Sequence, residues 1–106
     1  MRYLMMQAPT DTPPDAKLFT DMAAFVQELT ASGVLLATGG LAPTGVTFES
    51  RGDEITVTDG PFAEAREAVA GFALIEVRTK EEAVELGRRF RAIVGDGRST
   101  MQEVFG

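Results

Sequence analysis

A chain with no histidine and no cysteine must do any chemistry with oxygen, amine and guanidinium groups. The missing histidine removes the commonest general base and the commonest metal ligand. The missing cysteine removes disulfides, thiolate metal sites and thiol nucleophiles together. What remains are carboxylates, arginines, lysines, hydroxyls and a single phenol, Tyr3. One carboxylate stands apart by its setting. Asp59 heads the run Asp59-Gly60-Pro61-Phe62: an acid at a strand end, a residue free to turn sharply, then a proline suited to begin a helical turn. Two roles fit Asp59. It caps a short helix over residues 63–68, or it moves a proton or accepts a hydrogen bond from a ligand in a cleft. In the second role Arg66 pairs with Asp59 or with an anionic substrate, and burial would have to raise the pKa of the base. Phe62 fits a core or interface anchor and, in a cleft, a ring lying against a ligand.

Other constellations carry less chemistry. Residues 39–45, Gly39-Gly40-Leu41-Ala42-Pro43-Thr44-Gly45, are glycine-rich. A phosphate cradle needs a strand before it and a helix after it, usually with a lysine. Here a strand follows and no lysine is near, so the segment reads as a connection. The acids Glu64, Glu67, Glu81, Glu82 and Glu85 fall on outward helix faces, a solvated pattern rather than a converging set of cation ligands. Glu85 and Arg89 have the spacing of a pair within one helix. No metal or cofactor is expected.

The length, 106 residues, suits one domain spanning 1–106. Hydrophobic residues make up 44% and charged residues 25%, which argues against disorder. A net charge of −6 opposes a nucleic-acid role, because duplex affinity comes from Lys and Arg on phosphates. Apolar runs such as Val34-Leu35-Leu36-Ala37 are too short to span a bilayer. The first residues do not make a signal peptide, and the expectation is a cytoplasmic protein without a membrane partner.

The elements that would position these groups follow from periodicity. Residues 3–7 read as a strand. Thr12-Pro13-Pro14-Asp15 has a threonine suited to an N-cap, a proline for the first helical position and an acid for the helix dipole. Leu18, Met22, Phe25, Val26 and Leu29 then make a helical stripe, which Ser32-Gly33 ends. Residues 34–38 read as a buried strand broken by Gly39-Gly40. Val46 and Phe48 alternate with polar residues, Arg51-Gly52-Asp53 turns, and Ile55 and Val57 alternate again: a hairpin with one apolar face. Residues 71–78 form another strand. Thr79 and Glu82 make a capping box, and Ala83, Leu86, Gly87, Phe90, Ile93 and Val94 form a second stripe. Residues 100–105 are a last strand. The order β-α-β, hairpin, β-α-β describes an α+β, ferredoxin-like fold with both helices on one face of an antiparallel sheet.

The stretch Val57-Thr58-Asp59-Gly60-Pro61-Phe62-Ala63-Glu64-Ala65-Arg66-Glu67, followed by Gly71-Phe72-Ala73-Leu74-Ile75-Glu76-Val77, resembles the DGPF branch of the YCII-related proteins. Arg66 stands where that branch usually has lysine. The opening Arg2-Tyr3-Leu4-Met5-Met6, the run Gly33-Val34-Leu35-Leu36 and the run Gly40-Leu41-Ala42-Pro43 agree with it. The resemblance implies a ferredoxin-like fold and a homodimer whose sheets pack face to face as a dimeric α+β barrel. It also implies a small-molecule ligand, aromatic or lactone-like in some relatives, in a cleft between sheet and helices. A further implied partner is a sigma-factor-linked regulator. The YCII branch proper carries a His-Asp pair with its histidine in the first helix. This chain offers Met22 in that region, beside Asp21, so the pair is absent and Met22 becomes a candidate ligand contact. Two functions are therefore open: a dimeric small-molecule-binding or regulatory module, or a lyase- or isomerase-type enzyme using Asp59.

Overall fold

The computed structural model describes residues 1–10, 13–61 and 69–106. In chain order it contains β1 (Arg2–Gln7), α1 (Ala16–Ala31), β2 (Leu35–Gly40), β3 (Thr44–Arg51), β4 (Glu54–Pro61), β5 (Gly71–Glu76), α2 (Lys80–Val94) and β6 (Ser99–Val104). Four strands make an antiparallel sheet in the order β2-β5-β1-β6, and β3 pairs with β4 in a separate two-stranded sheet. This is the ferredoxin-like α+β arrangement with a hairpin inserted between β2 and β5.

Alternation along β1 decides which face the helices cover. Tyr3 and Met5 are buried, and their partners across the ladder, Ile75 and Ala73, share their face. Phe25 and Leu29 of α1 and Ala83 and Leu86 of α2 close over them. Val34, Leu35, Phe90, Ile93 and Met101 pack around this core. Ala83 is 0% exposed, so α2 lies against its neighbours where only a methyl group fits.

Element ends show where local chemistry differs from the expected pattern. The first helix begins at Ala16, and its cap is Asp15, which accepts the Leu18 N–H at 2.8 Å. Thr12, the expected cap, lies outside the described residues. Pro13 cannot serve as the first helical residue, because a following proline pushes it out of the helical region. The far end of α1 closes as a Schellman motif: Gly33 N–H reaches Thr30 C=O at 3.1 Å and Val34 N–H reaches Leu29 C=O at 3.0 Å. Gly33 has φ 78°, a conformation that favours glycine.

Gly39 and Gly40 do not break β2; they are its last residues, paired with Phe72 and Gly71. The reason is a close approach. A Cβ on Gly39 would sit 3.1 Å from the Phe72 ring, so glycine lets the ring lie across the neighbouring strand. Similarly, Asp59, Gly60 and Pro61 are not a turn. They extend β4 opposite Val46, Gly45 and Thr44. A two-stranded ribbon has open edges, where a proline without an N–H is tolerated. At α2, Thr79 Oγ1 accepts the Glu82 N–H at 3.1 Å as expected, and the Glu82 carboxylate accepts the Arg78 N–H at 3.2 Å, one residue earlier than a capping box requires.

Arg89 does not pair within its own helix. It makes a two-pronged bond to Glu28 of α1, at 2.7 and 2.8 Å, and its guanidinium lies 4.9 Å from the Phe25 ring centroid. The forked geometry of arginine matches a carboxylate on the facing helix better than Glu85 on the adjacent turn. The Arg89 hydrogen bond lowers the pKa of Glu28, and the same bond raises that of Arg89.

This pair should therefore couple the helices above the ordinary glutamate range and release them in acid. A lowered carboxylate pKa contributes stability that is present above the unfolded value and lost as pH falls through the folded one. A double-mutant cycle of Glu28→Gln and Arg89→Met, followed by urea denaturation, should show a small favourable coupling at neutral pH. That coupling should vanish once Glu28 is protonated. An unchanged coupling in acid would show that the ion pair is not its source.

Candidate functional site

A cavity of about 230 Å³ opens between the two helices and the sheet. Met5, Leu35, Ala73 and Ile75 form its floor, from β1, β2 and β5. Met22, Phe25, Val26 and Leu29 of α1 form one wall, and Leu86 and Phe90 of α2 the other. These are the two helical stripes facing each other. The space persists because one end of the floor is built from Gly39, Ala70, Gly71 and Ala73, whose side chains cannot fill it.

Among the described residues two polar ones line this cavity, Gln7 at the end of β1 and Thr38 on β2. Thr38 Oγ1 donates to the Phe72 carbonyl at 2.9 Å, which leaves its lone pairs as acceptors. Gln7 Oε1 accepts from Arg91 Nη1 and from Ser99 Oγ, each at 2.7 Å. Arg91 Nη1 also reaches Ser99 Oγ at 3.1 Å, and its other nitrogen donates to the Gly95 carbonyl. Because arginine can only donate, this network fixes which end of the Gln7 amide is oxygen. On the other side of Met5, a more open cleft lies between α2 and β6, with Val84, Gly87, Arg88 and Arg91 along it.

The structure distributes the expected site residues unevenly. Met22 stands in the cavity wall. Asp59 is exposed on β4 opposite Val46 and lines neither cavity. Phe62 and Arg66 lie outside the described residues, as does the expected short helix over 63–68. Tyr3 belongs to the core. Burial pushes its phenol above the ordinary value, with Glu103 and Glu81 adding to the shift, so it stays protonated. Among the described residues no group of three acids converges on a metal position. No helix there is long and apolar enough to cross a membrane.

Gln7, Thr38, Arg91 and Ser99 are the residues that sequence reasoning missed. For Gln7 the signal was present: in a strand whose alternate positions Tyr3 and Met5 are apolar, a glutamine is the next residue on that face. For Arg91 there was none, since its partner is 84 positions away.

The chain matches the family model of the YCII-related domain over residues 1–98. It is 33% identical over 76 residues to an uncharacterised protein of Rhizobium meliloti (strain 1021), covering 70% of this chain. The match spans 61% of the length of that curated relative. Among solved structures it resembles 5-chloro-2-hydroxyhydroquinone dehydrochlorinase (TftG) from Burkholderia phenoliruptrix AC1100, in complex with 2,5-dihydroxybenzoquinone. The TM-score is 0.53 at 12% identity, over 99% of this chain and 94% of the other. At that identity the likeness is one of fold.

Gly87 lies where α2 crosses β1. A Cβ there would meet Met5 Cε at 3.5 Å, an ordinary contact with the flexible end of a side chain. Gly87→Ala should therefore stabilise the fold by up to about 1 kcal/mol through helix propensity, read as a shifted denaturation midpoint. A loss of stability would show that Met5 cannot yield.

Proposed function

The chain belongs to the YCII-related domain family, and from that premise we propose that it is a dimeric small-molecule-binding or regulatory module of the DGPF branch. Its ligand is an apolar, ring-sized organic compound held between sheet and helices. The carrying observation is the cavity: two helical stripes face each other across a floor of small residues, leaving about 230 Å³. An apolar cavity on the order of 150 Å³ is enough for benzene. The dehydrochlorinase TftG is in complex with a benzoquinone, which supports a ring as the ligand class here.

Two apolar surfaces support the dimer. On the sheet face away from the helices lie Leu4, Met6, Phe72 and Leu74, each half-buried. On the hairpin, Val46, Phe48, Ile55 and Val57 share one face, with Phe48 and Ile55 each 69% exposed. The Cα radius of gyration is 16.0 Å, against about 13 Å for a rounded domain of this length, consistent with an arm reaching outward. Exposed apolar surface of this kind supports an association of two copies.

A second reading, a lyase- or isomerase-type enzyme on an aromatic or lactone-like substrate, is favoured by the dehydrochlorinase activity in the name of that structural neighbour. It stands below the binding reading because Asp59, its acid or base, lies outside the cavity.

Titration with toluene and with hydroquinone, followed by NMR shifts of the Met5 and Met22 methyl groups, should show saturable binding. Ala73→Phe should weaken it at least about tenfold with the fold retained, since a ring would occupy the small end of the floor. Absence of binding by both compounds would overturn the proposal, and turnover of hydroquinone-type substrates lost in Asp59→Asn would favour the enzyme instead. For the dimer, sedimentation equilibrium should give twice the chain mass. Phe48→Asp should shift it toward the monomer if the arm contributes.

A further inference from the structure

We infer that the Gln7–Arg91–Ser99 network makes the cavity selective for a ligand oxygen, and for the ionised form of that oxygen, as in a phenolate or enolate. This rests on the small-molecule reading above and specifies its ligand.

The argument begins with the Gln7 amide. Its oxygen is committed to Arg91 and Ser99, each at 2.7 Å. The two N–H groups of Nε2 therefore remain as donors, with no partner among the described residues, on a residue that lines the cavity, while Arg91 and Ser99 line the neighbouring cleft on the other side of Met5. An amide held in this way presents hydrogen-bond donors and cannot turn round, because reversal would set N–H groups against the guanidinium. Across the same end, Thr38 has spent its proton on the Phe72 carbonyl and offers lone pairs. The cavity thus has a polar end with donor and acceptor sides, and its walls are otherwise apolar. A bare hydrocarbon would leave the Gln7 donors unmatched, and a ring bearing one hydroxyl, carbonyl or ionised oxygen would satisfy them as an acceptor, while the Thr38 lone pairs call for a separate O–H or N–H.

The charge on Arg91 sets the preferred ionisation state. Its hydrogen-bond partners are neutral: the Gln7 amide oxygen, the Ser99 hydroxyl and the Gly95 carbonyl. Its guanidinium also lies 5.9 Å from the centroid of Phe90, a ring that lines the cavity. A cation bonded to the amide oxygen polarises the amide and strengthens its N–H donors, and a positive charge that meets no carboxylate among the described residues favours an anion nearby. The other charged groups at this end are Arg88 on α2, Arg98 beside β6 and Asp96 in the turn between them. On α1, Asp21 is tied to Lys17 at 2.7 Å and Glu28 to Arg89 at 2.7 Å, so those carboxylates are compensated locally. Arg91 acts through Gln7 and is a positioning residue.

The test uses the full chain with two probes, toluene and 4-nitrophenol, whose phenolate absorbs in the visible. Bound 4-nitrophenol should titrate about one unit lower than the free compound, a roughly tenfold preference for phenolate. The shift should disappear in Arg91→Met and persist in Arg91→Lys. In Gln7→Glu the new carboxylate would pair with Arg91 and keep the fold while repelling an anion, so the shift should reverse. Toluene binding by the wild type serves as the check that the cavity takes a ring at all. Toluene binding with an unshifted nitrophenol pKa in the wild type, or a shift surviving Arg91→Met, would overturn this inference and leave the ligand-binding reading standing. Failure of both probes to bind the wild type would overturn both.

Discussion

Everything in the site hangs on the register of β1. This strand lies between β5 and β6 and is paired to both over its whole length. Its odd-numbered residues point into the helix layer: Tyr3 into the core, Met5 to the cavity floor, Gln7 to the polar end. A slip by one residue would turn all three to the opposite face and bring Leu4 and Met6 inward. Gln7 sits opposite both Ser99 and Gly71, so the same pairing brings its amide to the serine and beside the small residues that leave the cavity open. One backbone constraint thereby sets the depth, floor and polar end of the site together.

The helices answer to that strand and also to each other. Each buries one stripe on the sheet, and the forked Glu28–Arg89 bond with the Phe25 ring beneath it links them across the top. This link is separate from the Gln7–Arg91 network, although both arginines belong to one segment of α2. Arg89 meets a carboxylate and is compensated; Arg91, two residues on, meets only neutral acceptors among the described residues. The helical turn separates the two side chains by about 200°, so neighbouring arginines serve different layers. One contributes to helix–helix geometry and the other faces β1 and β6. A void costs the contacts its lining atoms would have made, and a larger residue than Ala73 would recover some of them. The space is therefore held open at the expense of stability, as binding sites commonly are.

Much of this was legible from residue order. The stripes Leu18-to-Leu29 and Ala83-to-Val94, the hairpin alternation and the Thr79 cap are local patterns, and the structure has a strand or helix where each one lies. The errors share a cause. Gly39-Gly40 and Asp59-Gly60-Pro61 read as breaks because glycine and proline usually punctuate structure. In the fold they are strand residues, one pair making room for Phe72 and the other lying on an open-edged ribbon. Tertiary contact overrode local preference, and no window of a few residues contains that information. The same limit explains the site. Asp59 drew attention because it sits in a distinctive tetrapeptide, whereas the polar end joins residues 7, 91 and 99, which only the closed sheet brings within bonding distance.

The absence of histidine then takes on a narrower meaning. It removes a side chain that exchanges protons near neutral pH. It does not remove control over a ligand's own proton. A guanidinium bonded through an amide to the binding position supplies a fixed positive field there. Such a site does not need an acid–base residue to favour an anion, because the ligand performs the ionisation and the protein only biases it. Selectivity of that kind suits a binding module: it distinguishes a hydroxylated ring from a bare one, and an acidic phenol from a weak one. It would also be the first requirement of an enzyme that draws electrons from a phenolate or enolate. The polar end is thus common ground between the two functions, and what separates them is whether a group that moves protons ever reaches the bound oxygen.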